Sequence, residues 1–321
     1  MATTSTNRNP NDTSSMEISQ SPLENHINWL ELPRDVTLMI LMKLGTLEIL
    51  ESAQFVCKLW YNLCKDPSIW RIVRIRNIDE IELVDKHEKM MFNAVDRSAG
   101  GLIDVDIEGF GSDDLPSYIA SRSSQLKRLR LACCQTISAT ALIEALEKLS
   151  SLKELELTLC SFQTERVIQI INTCPSLTTF KLNELGSRNP TLACDEEALA
   201  IARNMPALRN LQLIGNSLTN DGLTAILDGC RHLEFLDLRA CFHLELVGSL
   251  GKRLSEQIKD LRLPYDSTDD YNYLTTDYDS DFDEIYAQEY DDMDFISDDE
   301  MDGQYHYGFS DDDDLDDIIY D

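Results

Sequence analysis

The chain has 321 residues and carries 28 Lys and Arg against 58 Asp and Glu, a formal charge of −30. The acid is concentrated at one end: no Lys or Arg follows Arg262, while residues 264–321 hold 23 acids, which leaves 58 − 23 = 35 acids against 28 bases in the rest, a mild −7. The acidity thus belongs to a tail and not to the fold. The N-terminus lacks the apolar core of a signal peptide and no run reaches membrane-spanning length, so a soluble protein of the nucleus, the cytoplasm or both is expected.

Residues 1–27 are rich in Ser, Thr, Asn and Pro and are expected to be disordered. Order is expected from Asn28-Trp29-Leu30, and Pro33 followed by Arg34-Asp35 is a helix-entry signal. The helix predicted from Asp35 to Leu44 is apolar on every side, with Val36, Leu38, Met39, Ile40, Leu41, Met42 and Leu44 around it. A helix of that kind must be covered all round. Two further helical runs follow, Leu47 to Val56 and Lys58 to Cys64, closing at Asp66-Pro67-Ser68-Ile69-Trp70. So short a segment cannot cover this much apolar surface alone, and the excess is expected to meet another chain.

The phrases Leu32-Pro33-x-Asp35-Val36, Ile40-Leu41-x-x-Leu44, Val56-Cys57-Lys58-x-Trp60 and Asp66-Pro67-Ser68-Ile69-Trp70 together closely resemble the F-box. That resemblance implies docking on a Skp-type adaptor and, through it, on a cullin scaffold in an SCF ubiquitin ligase. By position, Leu32, Pro33, Ile40, Leu41 and Leu44 would face the adaptor, whereas Val56, Cys57 and Trp60 would pack the F-box's own helices.

From Asn77 to Gly101 the chain reads as a charged helix with Met90, Met91, Phe92 and Val95 inward. After it one phrase keeps returning. Leu152-x-x-Leu155-x-Leu157-x-x-Cys160 recurs at Leu126, Leu129, Leu131 and Cys134, and at Leu233, Leu236, Leu238 and Cys241. Variants stand at Leu208, Leu211, Leu213 with Asn216 and at Leu177, Phe180, Leu182 with Leu185, and weaker copies at Leu102 and Ile258. The spacing is that of leucine-rich repeats, each pairing a short strand with a helix. Two of the apolar residues lie two apart and so share one side of the strand. The slot after them takes Asn or Cys, whose small polar or thiol group can bond inward to the backbone. Helices are expected at Ala141 to Leu149 and at Thr164 to Ile171, with a loop at Gly186 to Pro190 before Asp195 caps a helix through Ala202. Together with the F-box the repeats look like an F-box/leucine-rich-repeat protein of the plant type. The expected fold is α/β: a three-helix F-box at 28–76, a solenoid of short parallel strands plus helices at 77–265, and disordered ends at 1–27 and 266–321.

In each repeat the residues between the inward leucines are expected on the concave face. They include Arg128, Arg130, Glu154, Glu156, Lys181, Gln212, Phe235, Asp237 and Arg239, with Phe235 and Ile214 as apolar anchors. This mixed-charge row suits a protein substrate better than nucleic acid. The tail, rich in Asp and Tyr, reads as an interaction segment or a solvated appendage, with weak salt-sensitive attraction to Arg128, Arg130, Lys181 and Arg239. Nine cysteines form no C-x-x-C pair, and five histidines are scattered without ligand spacing, so neither metal nor cofactor is expected. No nucleophile–base arrangement emerges, and binding is what remains. The expected function is substrate recognition within the ligase. Two alternatives stand beside it: an acidic histone-chaperone-like repeat protein, which would have no use for residues 32–70, and an F-box protein that binds its adaptor outside a ligase.

Overall fold

The computed structural model describes residues 32–76, 83–185, 192–271 and 273. The expected disordered N-terminus, the loop at Gly186 to Pro190 and nearly all of the acidic tail lie outside them. The chain forms two compact units, residues 1–267 and 268–321. In the second, Tyr271 and Tyr273 contact each other with ring centroids 5.2 Å apart. All that follows concerns the first.

That unit opens with three helices: α1 (Arg34–Leu41), α2 (46–56) and α3 (Lys58–Leu63). Pro33 precedes the first turn of α1, where its missing N–H costs nothing. In α2 the Glu48 side chain accepts from the Gly45 N–H at 2.7 Å, and the middle of the helix widens into a π turn at Ile49–Ala53. Cys57 is extended, breaks the run between α2 and α3, and caps α3 by accepting from the Trp60 N–H. A 3-10 turn, Pro67–Arg71, then buries Trp70, whose indole N–H donates to the Cys64 carbonyl at 2.9 Å.

The chain passes straight from that turn into β1 (Ile72–Arg76), a strand the repeat phrase does not predict. The sheet therefore begins inside the segment assigned to the F-box rather than at Asn77 or beyond. Helix α4 (Val84–Arg97) follows, burying His87, Met91, Ala94 and Val95, with Met90 and Phe92 half-inward. The repeats then run β2 (Asp104–Glu108), α5 (Asp114–Arg122), β3 (Arg128–Ala132), α6 (Ala139–Leu146), β4 (Glu154–Thr158) and α7 (Thr164–Thr173). They continue β5 (Thr179–Asn183), α8 (Glu196–Asn204), β6 (Asn210–Gln212), α9 (Asn220–Gly229), β7 (Phe235–Asp237), α10 (Gly248–Gln257) and β8 (Asp260–Arg262).

The eight strands form one parallel sheet in chain order, and every predicted strand phrase takes its place in it. The pairing carries Val105 onto Leu129, Leu155, Phe180, Leu211 and Leu236, a continuous buried row in which each repeat covers the next. After the strands the backbone turns through left-handed residues, among them Gly109, Cys133, Leu159, Gly215 and Ala240. At Gly215 a Cβ would lie 2.5 Å from Leu185 Cα, so only glycine fits. The expected Asp195 cap takes a different form: its carboxylate accepts from the N–H and hydroxyl of Thr219, both at 2.7 Å, and so ties one repeat to the next.

The first helices join this array without a hinge. The Arg74 N–H on the free edge of β1 donates to the Thr46 hydroxyl of α2 at 3.0 Å. Arg97, at the end of α4, lies 5.3 Å from the Trp70 ring, donates to Gln54 Oε1 at 3.0 Å and reaches the Cys64 carbonyl.

Candidate functional site

The first surface belongs to the three opening helices. Helix α1 turns Thr37 and Leu41 into the core and leaves Val36, Met39 and Met42 bare, Met39 at 64 % exposure. On the end of α2, Phe55 and Val56 are bare too, Phe55 at 71 %, and Tyr61 of α3 adds a ring with Lys65 Nζ 4.1 Å above it. Of the residues expected to face an adaptor, Pro33 is exposed and Leu32, Ile40 and Leu44 are half-buried. Leu41 is completely buried, so its place is in the helices' own core. Val56 errs the other way: expected inside, it is exposed at the end of α2, next to the extended Cys57. Cys57 and Trp60 are half-buried, and Trp60 packs against the core.

The second surface is the concave face of the sheet, where charge alternates strand by strand. Arg74 and Arg76 stand on β1, Asp104, Asp106 and Glu108 on β2, Arg128 and Arg130 on β3, Glu154 and Glu156 on β4, and Lys181 on β5. Side chains facing each other across parallel strands thus carry opposite signs, and they pair. Arg74 meets Asp104 at 2.6 Å, and Arg128 bridges Asp104 at 2.9 Å and Glu154 at 3.0 Å. Arg76 meets Asp106 at 2.9 Å, while Arg130 pairs with Asp106, with Glu108 at 2.9 Å and with Glu156 at 2.8 Å. Lys181 closes the array on Glu156 at 3.1 Å.

The array is dense enough to bury its own members. Arg130 is 6 % exposed, and Asp106, Glu108 and Glu156 are buried beside it. Burial alone would raise the Asp106 and Glu156 carboxyl pKa values, but their cations outweigh it, Arg130 and Arg76 at Asp106 and Lys181 and Arg130 at Glu156, and both lie below the ordinary range. Burial alone would likewise lower the Arg130 pKa, and Asp106 and Glu156 raise it instead.

Farther along, the pattern changes. Asn210 donates to the Thr179 hydroxyl at 3.1 Å and Gln212 to Asp237 at 3.3 Å. Asp237 and Arg239 are both buried and joined at 2.8 Å, and Arg239 also donates to the Ser267 carbonyl. Phe235 is half-buried. Ile214, expected as an anchor, is fully buried and carries nothing on the surface. The expected concave residues therefore share one face, but Arg130, Glu156, Asp237 and Arg239 are engaged within the protein. Arg128, Arg130, Lys181 and Arg239 likewise stand paired with carboxylates, not as open sites for an acidic tail.

The turn-slot thiols do what the repeat phrase calls for. Cys134 Sγ donates to the Ala132 carbonyl at 3.2 Å, Cys160 Sγ to the Leu131 carbonyl at 3.5 Å, and Cys241 Sγ to the Leu213 carbonyl at 2.9 Å. Burial pushes Cys160 and Cys241 up to about 12 and Cys133 to about 11, the reverse of what a nucleophilic thiol needs. In a cleft of about 780 Å3 between Phe162, Arg166, Leu192 and Cys194, the described residues gather no acid–base or nucleophile–base set. Among the described residues no three His, Cys, Asp or Glu side chains are placed to hold a metal ion, and no helix is long and apolar enough to cross a membrane.

Residues 29–76 match the F-box-like family model. Over 266 residues the chain is 48 % identical to a putative F-box/LRR-repeat protein 23 of Arabidopsis thaliana, covering 80 % of this chain and 59 % of the length of that relative. It is 44 % identical to the F-box protein SKIP19 of the same plant, over 90 % of this chain and 91 % of that one. Among solved structures, 51 % of the chain overlays 29 % of a chain in the crystal structure of a TLR13–ssRNA13 complex, at TM-score 0.28 and 16 % identity, too slight a likeness to carry weight.

Proposed function

The chain belongs to the plant F-box/LRR-repeat family, and from that membership we propose that it is the substrate-recognition subunit of an SCF-type ubiquitin ligase. In this role residues 28–76 dock on a Skp-type adaptor and through it on a cullin scaffold, and the repeats hold a protein to be ubiquitinated. In this role the chain supplies position. The role places it in the nucleus, the cytoplasm or both, which imaging of a tagged chain tests.

The observation that carries this reading is the bare apolar surface of Val36, Met39, Met42, Phe55 and Val56, lying within the segment that matches the F-box-like model. Exposed apolar surface of this kind on a folded segment marks a contact with another protein. The cores of such contacts are rich in methionine and aromatic side chains. A histone-chaperone role gives that surface nothing to do.

The test is capture of the full chain by a recombinant Skp-type adaptor. Val36→Glu with Met39→Glu is expected to abolish capture while leaving the thermal unfolding of the repeats unchanged. Retention of full affinity by that variant would overturn the docking assignment. Capture of the adaptor without a cullin scaffold would move the protein outside a ligase.

A further inference from the structure

The arginines of the sheet, Arg74, Arg76, Arg128, Arg130 and Arg239, each stand against a carboxylate. Arg97, where the opening helices meet the repeats, does not. Its hydrogen bonds go to neutral oxygens, Gln54 Oε1 at 3.0 Å and the Cys64 carbonyl at 3.4 Å, and its guanidinium lies 5.3 Å from the Trp70 ring. Among the described residues no Asp or Glu lies within ion-pair distance of it. Burial pulls its pKa down, and the groups that oppose this, Cys64 and Tyr61, are weak acids. A half-buried cation is left short of negative charge.

That shortfall borders a cleft. Arg97 lines a space of about 470 Å3 between α2 and α4, together with Gln54, Asp85, Lys86, Lys89 and Asn93. On α4, Lys89, Asn93 and Arg97 follow one another at four-residue steps, so they share one face with about 6 Å between successive positions. Among the described residues Lys89 makes no ion pair and the Asn93 side chain no hydrogen bond. Arg97 uses two of its five N–H groups. Donors on three successive turns therefore stand open along one cleft.

The other charges nearby are spent or distant. Lys86 is paired with Glu51 at 2.5 Å. Asp96, one turn from Asn93, is engaged by Arg122 at 3.0 Å and by the Tyr118 hydroxyl at 2.8 Å. Glu88 accepts from the N–H and hydroxyl of Ser112. Asp85 is the one acid in the lining. It precedes Asn93 by eight residues, about 12 Å along the axis and beyond the screening length of about 8 Å at physiological salt.

We propose that this cleft is a binding site for a phosphate monoester, whose oxygens accept from Lys89, Asn93 and Arg97. The doubly charged group supplies the negative charge that Arg97 lacks, and its three terminal oxygens match donors on three turns. A carboxylate, with one charge and two oxygens, fits less well. The chain as a whole carries −30 and repels anions, so retention of one here depends on these local donors. Since α2 and α4 form the two walls, a bound phosphate ties the opening helices to the repeats. The site makes no use of Val36 or Met39, so its failure would leave adaptor docking standing.

The experiment is calorimetric titration of the full chain at matched ionic strength with inorganic phosphate, O-phosphoserine, a peptide carrying one phosphoserine, and the same peptide with glutamate in its place. The phosphates are expected to bind and to raise the melting temperature, and the glutamate peptide to bind roughly tenfold more weakly. A phosphopeptide that binds more tightly than O-phosphoserine identifies a phosphorylated protein as the source, and equal affinities identify a small phosphorylated molecule. Lys89→Gln should weaken phosphate binding by about tenfold, the loss of one charge-assisted hydrogen bond, and Asn93→Asp should abolish it. Both positions are exposed, so the ligand-free variants should melt as the unchanged chain does. Absence of binding by every phosphate, or affinities that neither substitution alters, overturns the proposal.

Discussion

Arg130→Ala is the most informative single change on the concave face. The guanidinium is 6 % exposed and pairs with Asp106, Glu108 and Glu156. Its removal leaves three carboxylates crowded in a buried site. Breaking a buried ion pair from one side costs about 3–5 kcal/mol, because the abandoned charge has no water to return to. Here the loss is partly cushioned: Asp106 keeps Arg76 at 2.9 Å, and Glu156 keeps Lys181 at 3.1 Å. We therefore expect the low end of that range, about 3 kcal/mol, or a melting temperature lowered by roughly 6–12 °C for a unit of this size. Arg209→Ala provides the contrast. Its pair with Glu234 is solvent-exposed, and such pairs contribute little to stability. Urea unfolding of both variants, with amide exchange followed on β2 to β4, makes the comparison. Indistinguishable unfolding midpoints for Arg130→Ala and Arg209→Ala would refute the argument that the array is structural.

Acid should act on the same array. Asp106 and Glu156 hold their protons more weakly in the folded chain than in the unfolded one, so protonation favours unfolding. Their stabilisation is full above the ordinary carboxyl range, about pH 4, and is lost as the pH falls below it; amide exchange against pH should show β2 to β4 loosening first. Leu155→Ala should cost about 2–5 kcal/mol as a fully buried truncation and loosen the neighbouring repeats with it, which exchange on β3 and β5 would register. Arg97→Ala removes the stack on Trp70 and the bonds to Gln54 and Cys64, and should lower stability by about 1–3 kcal/mol; energy transfer between dyes on α1 and on α6 should then report a wider spread of distances. Under brief alkylation of the native chain, half-buried Cys57 and Cys194 should react while Cys134, Cys160 and Cys241 stay intact, as mass spectrometry can show.

The repeats were legible because a solenoid repeats one apolar phrase in its core, and Leu129, Leu155 and Leu236 hold the same buried place in it. Strand β1 escaped the same reading. Ile72-Val-Arg-Ile-Arg76 has two inward residues, Val73 and Ile75, but neither the leading leucine nor the turn cysteine of the later copies. The exposed apolar surface of the opening helices was half legible. Composition shows that α1 has more apolar surface than it can hide, but only packing decides that Leu41 turns in while Val36, Met39 and Met42 turn out. Glu156 illustrates a different limit. Taken alone it is a polar residue between two leucines and reads as exposed; it is buried because Arg130 and Lys181, about one repeat away on either side, close over it. The signal was present as a sign that flips from repeat to repeat, Asp106, Arg130, Glu156, Lys181, and it emerges only when the copies are laid side by side.

The direct run from the Pro67–Arg71 turn into β1 makes the first unit a graduated arm. Neighbouring strands are spaced about 4.8 Å apart, so seven steps from β1 to β8 place the last turn roughly 34 Å from the edge that meets α2, before the curvature of the sheet is counted. With Arg97 bolted onto Trp70 and Thr46 capping the free edge of β1, that length starts from a fixed origin and not from a swivel. Reach then becomes a property of strand number. Whatever sits on β4 or on β8 stands at a different mark along the same arm, and adding or deleting one repeat would shift every later mark by one strand spacing.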